Sequence, residues 1–420
     1  MAYFWQSPLW DRLRSGEWLT SARVRGYSLI LLGISVIAMV GWIAVSDGLT
    51  DRNGKPIGTD FSSFYAAGSL ALVGRASDAY SIPAHRAREQ QTFGTETPYY
   101  GWLYPPVFLL VATPLALLPY PLALAVWQGA SLALYLAVIA MILRRARQAR
   151  GAIADSWLPV AAAFPAVFIN LGHGQNGFLT AGLLGAALVA LPRRPVVAGL
   201  LMGLLSYKPQ FALVIPFALL AAGQWRAIGA AGFAVIALAG ASYLLFGPDC
   251  WTAFVASTEL SRKVLLEQGD VGFEKLQSAF AAVRMWGGSV TLGYATQAVV
   301  SGLAIGSTAW VWHGSADRDL KSALLVAATA LASPHLLDYD LVMLAPAMAF
   351  FVAARSDACL RDYEISLLAF IWIAPLVART VAGTTGIPIG LVAMLALFAL
   401  IMRRVIDERS GPVALVIAQA

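Results

Sequence analysis

The sequence has little charge for its length. Asp, Glu, Lys and Arg make up 12% of the 420 residues, whereas 59% are hydrophobic, and the mean hydropathy is +0.70. A water-soluble chain of this length cannot bury so much apolar surface, which excludes a soluble globular protein. The same composition excludes intrinsic disorder and a coiled coil. We therefore predict a polytopic membrane protein built from α-helices.

Cysteine and the common cofactor motifs are also scarce. The two cysteines, Cys250 and Cys359, fall in loops that the predicted topology places on opposite sides of the bilayer, so we expect no disulfide. The sequence contains no P-loop, no G-x-G-x-x-G fingerprint, no H-E-x-x-H motif and no cysteine-rich metal site. We therefore predict no soluble nucleotide-binding domain, no cofactor and no bound metal.

The positive charge that is present follows the apolar runs. The net charge is +6, and the 29 Lys and Arg residues occur in short clusters between apolar stretches. This pattern is typical of positive-inside membrane topology and not of a nucleic-acid-binding surface. The apolar run from Tyr27 to Val45 follows Arg23 and Arg25 and has no A-x-A cleavage site. We interpret it as a retained first helix with a cytoplasmic amino terminus.

The apolar runs predict about 12 transmembrane helices, within a range of roughly 10 to 13, at the usual span length. Residues 103–143 make either one crossing with a break at Pro119 to Pro121 or a two-helix hairpin, and a second break is expected near Tyr207 to Gln210. The predicted segments are a cytoplasmic amino-terminal segment (1–26), a single transmembrane domain (27–403) with long external loops (47–102 and 247–290), and a cytoplasmic tail (404–420).

Five polar motifs interrupt the apolar runs beside glycine and proline. They are TDFSSFYAAG (59–68), GWLYPPVF (101–108), GHGQNG (172–177), SYKPQ (206–210) and SPHLLDYD (333–340). Backbone that is not helical at membrane depth must be buried in protein or line a wet cavity. The motifs therefore predict a water-accessible cavity at one membrane face.

The first two motifs each allow two interpretations. Asp60, among Phe61, Phe64 and Tyr65, would be partly desolvated at the membrane interface and suited to act as a general base. It could equally be the N-cap of the apolar segment that follows, which could lie along the membrane surface. Tyr104 is either a ligand contact or an ordinary interfacial aromatic residue.

The next two motifs place polar groups in apolar surroundings. His173, Gln175 and Asn176 lie between glycines, and a loop that merely turned the chain would not need the amides, so we favour ligand contact. Lys208 is a lone charge at membrane depth that needs an anion, either a carboxylate such as Asp60 or a ligand phosphate, unless it snorkels to the interface.

The last motif concentrates His335, Asp338, Tyr339 and Asp340 at a helix entrance. The D-x-D spelling suggests a divalent metal, but residues two apart on a helix point in nearly opposite directions, which argues against chelation of one ion. We expect one aspartate to cap the helix while His335 and the other aspartate face the cavity. A histidine in a satisfied packing position is the alternative for His335.

The motifs TDFSSFYAAG, YPP, GQN, KPQ and SPHLLDYD, in this order, resemble glycosyltransferase family 87. This family of GT-C membrane enzymes includes mycobacterial polyprenol-phosphate-mannose-dependent α-mannosyltransferases, and the similarity covers Asp60 to Leu344. The resemblance implies a GT-C helical bundle in the bacterial plasma membrane with its active site facing the periplasm. It also implies transfer of a hexose, such as mannose, from polyprenyl phosphate to a lipid or glycan acceptor.

Carried over by position, the resemblance implies that Asp60 deprotonates the acceptor in an inverting displacement. Chemistry and loop position suggest the other roles: Lys208 and His335 would steady the donor phosphate as it leaves, and Gln175 and Asn176 would hold sugar hydroxyls. A laterally open groove with aromatic and aliphatic lining is expected for the polyprenyl chain. The chain has HLLDYD where relatives often show a paired histidine, so donor and acceptor stay open. The expected substrate contacts are Tyr65, Tyr104, His173, Gln175, Asn176, Gln210, Asp338, Tyr339 and Asp340.

A secondary transporter, or a lipid-binding or flippase protein, is the alternative. Broken helices and a lone lysine at membrane depth suit a transporter equally well. A transporter usually has two-fold internal symmetry, however, and the long first external loop has no counterpart in the second half of the sequence. We therefore favour the transferase.

Overall fold

The structure is a computed structural model and describes residues 8–150, 157–270, 272–354 and 361–417. Throughout these ranges the chain is helical, with isolated β-bridges and no strand, as predicted. Cys250 is buried with a free thiol, and Cys359 lies outside the described residues. In chain order the α-helices are α1 (Pro8–Ser15), α2 (Ser21–Ala44), α3 (Thr59–Leu72), α4 (Ile82–Phe93), α5 (Leu109–Leu115), α6 (Tyr120–Arg150), α7 (Trp157–Ala162), α8 (Pro165–His173), α9 (Gly177–Ala190), α10 (Pro195–Gly203), α11 (Ile215–Ala221), α12 (Trp225–Phe246), α13 (Pro248–Arg262), α14 (Ala279–Met285), α15 (Val290–His313), α16 (Arg318–Ala332), α17 (Leu344–Ala353), α18 (Glu364–Thr385) and α19 (Ile389–Ile417).

Shorter helical turns join several of these helices. A π-helical turn, Lys263–Gln268, extends α13. The 3₁₀ turns are Ala76–Tyr80, Pro106–Phe108, Leu204–Tyr207, Pro209–Ala212, Phe273–Lys275 and Asp338–Met343.

Five helices within the described ranges are long and apolar enough to cross a membrane: α2, α6, α12, α18 and α19. The predicted count of about 12 spanning helices is not confirmed. Several apolar runs are divided into pieces, because proline and glycine end the helices early. For example, α5 has seven residues, or about 10 Å of helix, against a hydrocarbon core of about 30 Å.

The long helices present apolar side chains outward. Ile37 of α2 is 73% exposed, Ile236 of α12 is 73% exposed and Leu244 of α12 is 85% exposed. Large apolar faces of this kind are unfavourable in water and favourable against lipid tails. The surface therefore supports an integral membrane protein.

Both expected helix breaks are present. The helix α5 ends at Leu115 and α6 begins at Tyr120, so the helix is interrupted over residues 116–119, at the start of the Pro119 to Pro121 segment. Between α10 and α11, Lys208 has φ −125° and ψ 74°, outside the helical region. A residue before proline is disfavoured from helical geometry, so Pro209 explains why the helix stops there.

The buried centre of the bundle is α16. Twelve of its 15 residues are buried, and most of them are alanine or leucine. It packs against α15, α17 and α19, and small side chains allow this close approach. At the other end of the chain, α19 continues to Ile417, so the predicted boundary at residue 404 falls inside this helix.

The first external loop folds into the bundle. Nine residues of α3 are buried, so this helix is covered by other parts of the protein. Gly68 allows α3 to approach α5, because a side chain there would collide with the Ala112 carbonyl. The more polar α4 also packs against α3. This packing fixes α3 against the membrane helices.

Candidate active site

Asp60 lies in the first turn of α3 and is half-buried. The N-cap residue is Gly58, which has φ 73° and makes no side-chain capping bond. The alternative interpretation of Asp60 as the helix cap is therefore wrong. Its carboxylate instead turns toward the GHGQNG loop.

Gln175 holds the Asp60 carboxylate. The Gln175 Nε2 donates to Asp60 Oδ2 at 2.9 Å. Gln175 Oε1 accepts from the Tyr104 hydroxyl at 3.1 Å and from the backbone amide of Asn176 at 3.0 Å. Two donors at one oxygen fix which end of the amide faces which neighbour. Three of the polar motifs are thus joined by hydrogen bonds to the side chain of Gln175.

The GHGQNG loop is held from behind by α6. Trp127 Nε1 donates to the Gly174 carbonyl at 3.0 Å, and Gln128 Nε2 donates to the Gln175 carbonyl at 3.3 Å. Gly174 has φ +65°, and a Cβ there would lie 2.6 Å from the Cβ of Phe61. Trp127 and Gln128 were not predicted as site residues. The available signal was a glutamine within the apolar amino-terminal part of α6.

A second contact joins the TDFSSFYAAG and GHGQNG motifs. The Thr59 hydroxyl lies 2.8 Å from His173 Nδ1 and 3.5 Å from Asp60 Oδ1. Thr59 was not predicted as a site residue, although it directly precedes Asp60. Asn176 is fully buried, and neither its side-chain oxygen nor its nitrogen has a hydrogen-bond partner within the described ranges.

Lys208 and Asp340 form a buried ion pair. Their Nζ and Oδ1 atoms are 2.6 Å apart, and the residues are 3% and 2% exposed. Asp340 Oδ2 also accepts from the Leu337 amide at 3.4 Å, so this aspartate serves the helix entrance, as expected for one of the pair. The anion beside Lys208 is therefore Asp340 and not Asp60.

The rest of SPHLLDYD lies between the ion pair and the Asp60 network. The Tyr339 ring centroid is 5.3 Å from Lys208 Nζ and 6.0 Å from the ring of His173. Asp338 is buried and lies within electrostatic reach of His173, Arg379 and Asp60. Arg379, on the exposed face of α18, was not predicted as a site residue.

Two further predicted ligands, His335 and Gln210, have different surroundings. His335 has a buried Nε2 atom with no hydrogen-bond partner in the described part of the chain, so the satisfied-packing alternative is not met at that atom. Gln210 is half-buried in the 3₁₀ turn that follows Lys208. Within the described residues, no group of three His, Cys, Asp or Glu side chains could hold a metal ion.

Tyr65 is directed away from the Asp60 network. Its hydroxyl donates to the Leu118 carbonyl at 3.0 Å, at the break between α5 and α6, and its ring packs against Tyr120. The structure therefore gives Tyr65 a role in fixing α3 and does not place it with Gln175.

The second external loop is attached to the same region. The Gln277 amide donates to the Leu336 carbonyl at 2.7 Å, and Leu276 forms an isolated antiparallel bridge with Leu337. The motif that carries Asp338 and Asp340 is therefore also held by the segment that follows α13.

Comparison with known families decides between the two classes of function. The family model of glycosyltransferase family 87 matches residues 102–334, which is more than half of the chain. The chain belongs to glycosyltransferase family 87. It is therefore a membrane glycosyltransferase, and the transporter alternative is not supported. No curated protein and no solved structure matches the chain.

The family match covers only part of the site. It includes Tyr104, Gln175 and Lys208 but ends at residue 334, and it begins after Asp60. Asp60 is joined to the matched range by its hydrogen bond to Gln175.

Proposed function

We propose that this family 87 enzyme transfers a hexose, with mannose as a candidate, from polyprenyl phosphate to a hydroxyl of a lipid or glycan acceptor. The observation that carries this proposal is the setting of Asp60. Its Oδ2 accepts from Gln175, whereas its Oδ1 has, among the described residues, only a long contact of 3.5 Å to the Thr59 hydroxyl. A carboxylate has about four lone-pair sites, so Asp60 keeps the capacity to accept an acceptor hydroxyl.

The proposed reaction is a single displacement. The acceptor oxygen attacks the anomeric carbon of the sugar while its proton moves to Asp60. The bond between that carbon and the phosphate oxygen breaks, and its electron pair leaves with polyprenyl phosphate. Attack from the side opposite the phosphate inverts the anomeric centre, and the proton on Asp60 then returns to water.

A shallow lateral groove supports a lipid-linked donor. It lies between α12 and α13 and is open to the surface over most of its extent, where α12 is exposed. Its lining is aromatic and aliphatic, as expected for a polyprenyl chain: Ile236, Ala239, Gly240, Tyr243, Leu244 and Trp251.

The groove is connected to the site through aromatic contacts. The ring of Phe254 lies 6.2 Å from Trp251 and 5.8 Å from Tyr80. The Tyr80 hydroxyl donates to the Tyr104 carbonyl at 2.9 Å, and the Tyr104 hydroxyl contacts Gln175. Packed side chains therefore join the groove to the Asp60 network.

The donor phosphate needs positive charge and hydrogen-bonding groups, and three side chains are candidates. Burial, with Lys208 nearby, lowers the pKa of His335 to about 4, so His335 is neutral at neutral pH and offers its unpartnered Nε2 atom as a hydrogen-bonding group only. Arg379 is exposed on α18 near Asp338, and Lys208 reaches a phosphate only if the phosphate replaces Asp340 as its partner. Because Arg379 and Lys208 supply the positive charge, we propose that the reaction uses no cofactor.

We further propose that the enzyme resides in a bacterial plasma membrane with this site at the periplasmic face. The basic clusters of the sequence then lie on the cytoplasmic side, as the positive-inside rule requires. In this arrangement residues 27–403 form one transmembrane catalytic domain.

The test is sugar transfer in nanodiscs. Purified enzyme is mixed with radiolabelled polyprenyl-phosphate mannose or glucose and a membrane lipid extract. Asp60→Asn should lower the transfer rate by at least about 100-fold, because general-base catalysis contributes that much. Asp47→Asn is the matched control, since Asp47 lies in the same external loop with an exposed side chain. Equal transfer by wild type and folded Asp60→Asn would refute the proposed role of Asp60.

A further inference from the structure

A buried acid lies behind the helix that carries Asp60. Glu89 and His85 of α4 are both 0% exposed and face α3. The mechanism above uses neither of them. A carboxyl group that is removed from water without a close cation is costly unless it is protonated or well hydrogen-bonded.

The hydrogen bonds around Ser62 indicate which form Glu89 takes. The Ser62 hydroxyl lies 2.7 Å from the Thr59 carbonyl and 3.2 Å from Glu89 Oε1. A serine hydroxyl has one proton to donate, and the carbonyl can only accept. Both contacts are therefore satisfied together only when Glu89 carries a proton and donates it to Ser62.

The other carboxyl oxygen of Glu89 holds the chain that leads into the site. Glu89 Oε2 accepts from the Tyr100 amide at 3.1 Å. Glu89 thus joins the first turn of α3, through Ser62, to the segment between α4 and the Tyr104 motif. Ser62 lies in the same helical turn as Asp60, and Tyr100 lies in the segment that leads to Tyr104, whose hydroxyl contacts Gln175.

The electrostatic surroundings agree with a protonated Glu89. Burial raises the pKa of Glu89 to about 8, and burial lowers the pKa of His85 to about 4, so His85 supplies no positive charge at neutral pH. Arg86 favours the ionised form of Glu89 and Asp60 opposes it, and burial outweighs both. The titratable and charged groups around Glu89 are Asp60 on α3, His85 and Arg86 on α4, Tyr99 and Tyr100 in the loop, and Tyr120 on α6.

We propose that protonated Glu89 is a positioning residue for Asp60, because it fixes the first turn of α3 and the entering loop in one arrangement. Loss of its proton turns the Ser62 hydroxyl from the Thr59 carbonyl toward the carboxylate and loosens that turn. This inference rests on the proposed function of Asp60, whereas the coupling between Glu89 and α3 does not.

The first readout is the pH profile of sugar transfer, with radiolabelled polyprenyl-phosphate mannose and glucose as probes. Glu89→Gln reproduces the neutral acid, because its amide can donate to Ser62 and accept from Tyr100. Wild type should lose about tenfold in rate between pH 7 and pH 9, whereas Glu89→Gln should stay within about twofold. Glu96→Gln, an exposed residue of the same loop, should keep the wild-type profile.

The second readout needs no activity. Hydrogen exchange of the amides in residues 59–63, corrected for the intrinsic effect of pH, should show loss of protection from pH 7 to pH 9 in wild type but not in Glu89→Gln. Identical profiles for the two proteins in both readouts would overturn the proposal. A folded Glu89→Gln that is about tenfold slower at pH 7 would also overturn it. If exchange behaves as expected while no probe is transferred, the positioning role stands and the proposed function fails.

Discussion

The buried ion pair between Lys208 and Asp340 makes a quantitative prediction. The two residues are 3% and 2% exposed and their charged atoms are 2.6 Å apart. Removing one partner leaves the other charge buried without compensation, which typically costs about 3–5 kcal/mol. Lys208→Met and Asp340→Asn should therefore each lower the free energy of unfolding by that amount.

The double variant should be much closer to wild type. With both charges removed, no uncompensated ion remains, and replacing a buried pair by neutral groups is often nearly neutral. We expect the coupling energy in the double-mutant cycle to exceed about 2 kcal/mol. The measurement is unfolding by titration with SDS in mixed micelles, followed by tryptophan fluorescence.

A matched control is the ion pair between Lys263 and Glu259. Its atoms are 2.7 Å apart, but the side chains are 50% and 67% exposed, so its coupling should be at most about 1 kcal/mol. Additive effects at Lys208 and Asp340, or a cost of Lys208→Met no larger than that of Lys263→Met, would refute the reasoning. A double variant that is stable but transfers sugar with a raised KM would assign Lys208 to the donor phosphate as well.

Two further outcomes are expected. Gly174→Ala should destabilise the protein by at least about 1–2 kcal/mol, because its φ of +65° is costly for alanine and the new Cβ would meet Phe61. It should also reduce transfer by displacing the loop, whereas Gly172→Ala, which has open space around it, should change neither property. For Glu89, a pKa raised from 4.5 to about 8 means that the folded state binds the proton more tightly than the unfolded state. Glu89 should therefore contribute a loss of stability on the order of 3–5 kcal/mol as pH rises from 4.5 to 8, and no further loss above that. The lowered pKa of His85 contributes in the opposite direction below pH 6.5 and is common to all variants, so the quantity to compare is the stability of each protein relative to Glu89→Gln. In SDS unfolding this difference should fall with pH for wild type and for Glu96→Gln, and a difference that does not change with pH would contradict the prediction.

Local features of the fold could be predicted from the sequence because their causes are local. The helical class follows from composition, and the breaks before Tyr120 and at Lys208 follow from the prolines beside them. The helix count could not be predicted in the same way. An apolar run shows that a segment avoids water, but it does not show that one helix continues through the whole run, as α5 illustrates.

The partners within the site depend on contacts that are distant in sequence. Lys208 clearly needed an anion, but the choice between Asp60, a phosphate and Asp340 was decided by packing across 132 residues. The same holds for Asp60 and Gln175, which are 115 residues apart. Glu89 belongs to no motif, and only the packing of α3 against α4 brings it close to the first turn that carries Asp60. Thr59 precedes Asp60 in sequence, but its contact with His173 depends on the packing of α3 against α8.

Hydrogen bonds connect residues inside the family match to Asp60, which lies outside it. The match covers Tyr104, Gln175 and Asn176, and donation from the Tyr104 hydroxyl and the Asn176 backbone amide fixes the direction of the Gln175 side-chain amide. The Nε2 group of Gln175 therefore faces Asp60, where it needs a hydrogen-bond acceptor. A lone carboxylate would satisfy the amide in a purely structural role too. A general base also needs a carboxylate oxygen that is available to accept a proton, and in the half-buried Asp60 this oxygen is Oδ1. Loss of transfer in a folded Asp60→Asn, in which Gln175 can still donate, is therefore the decisive comparison.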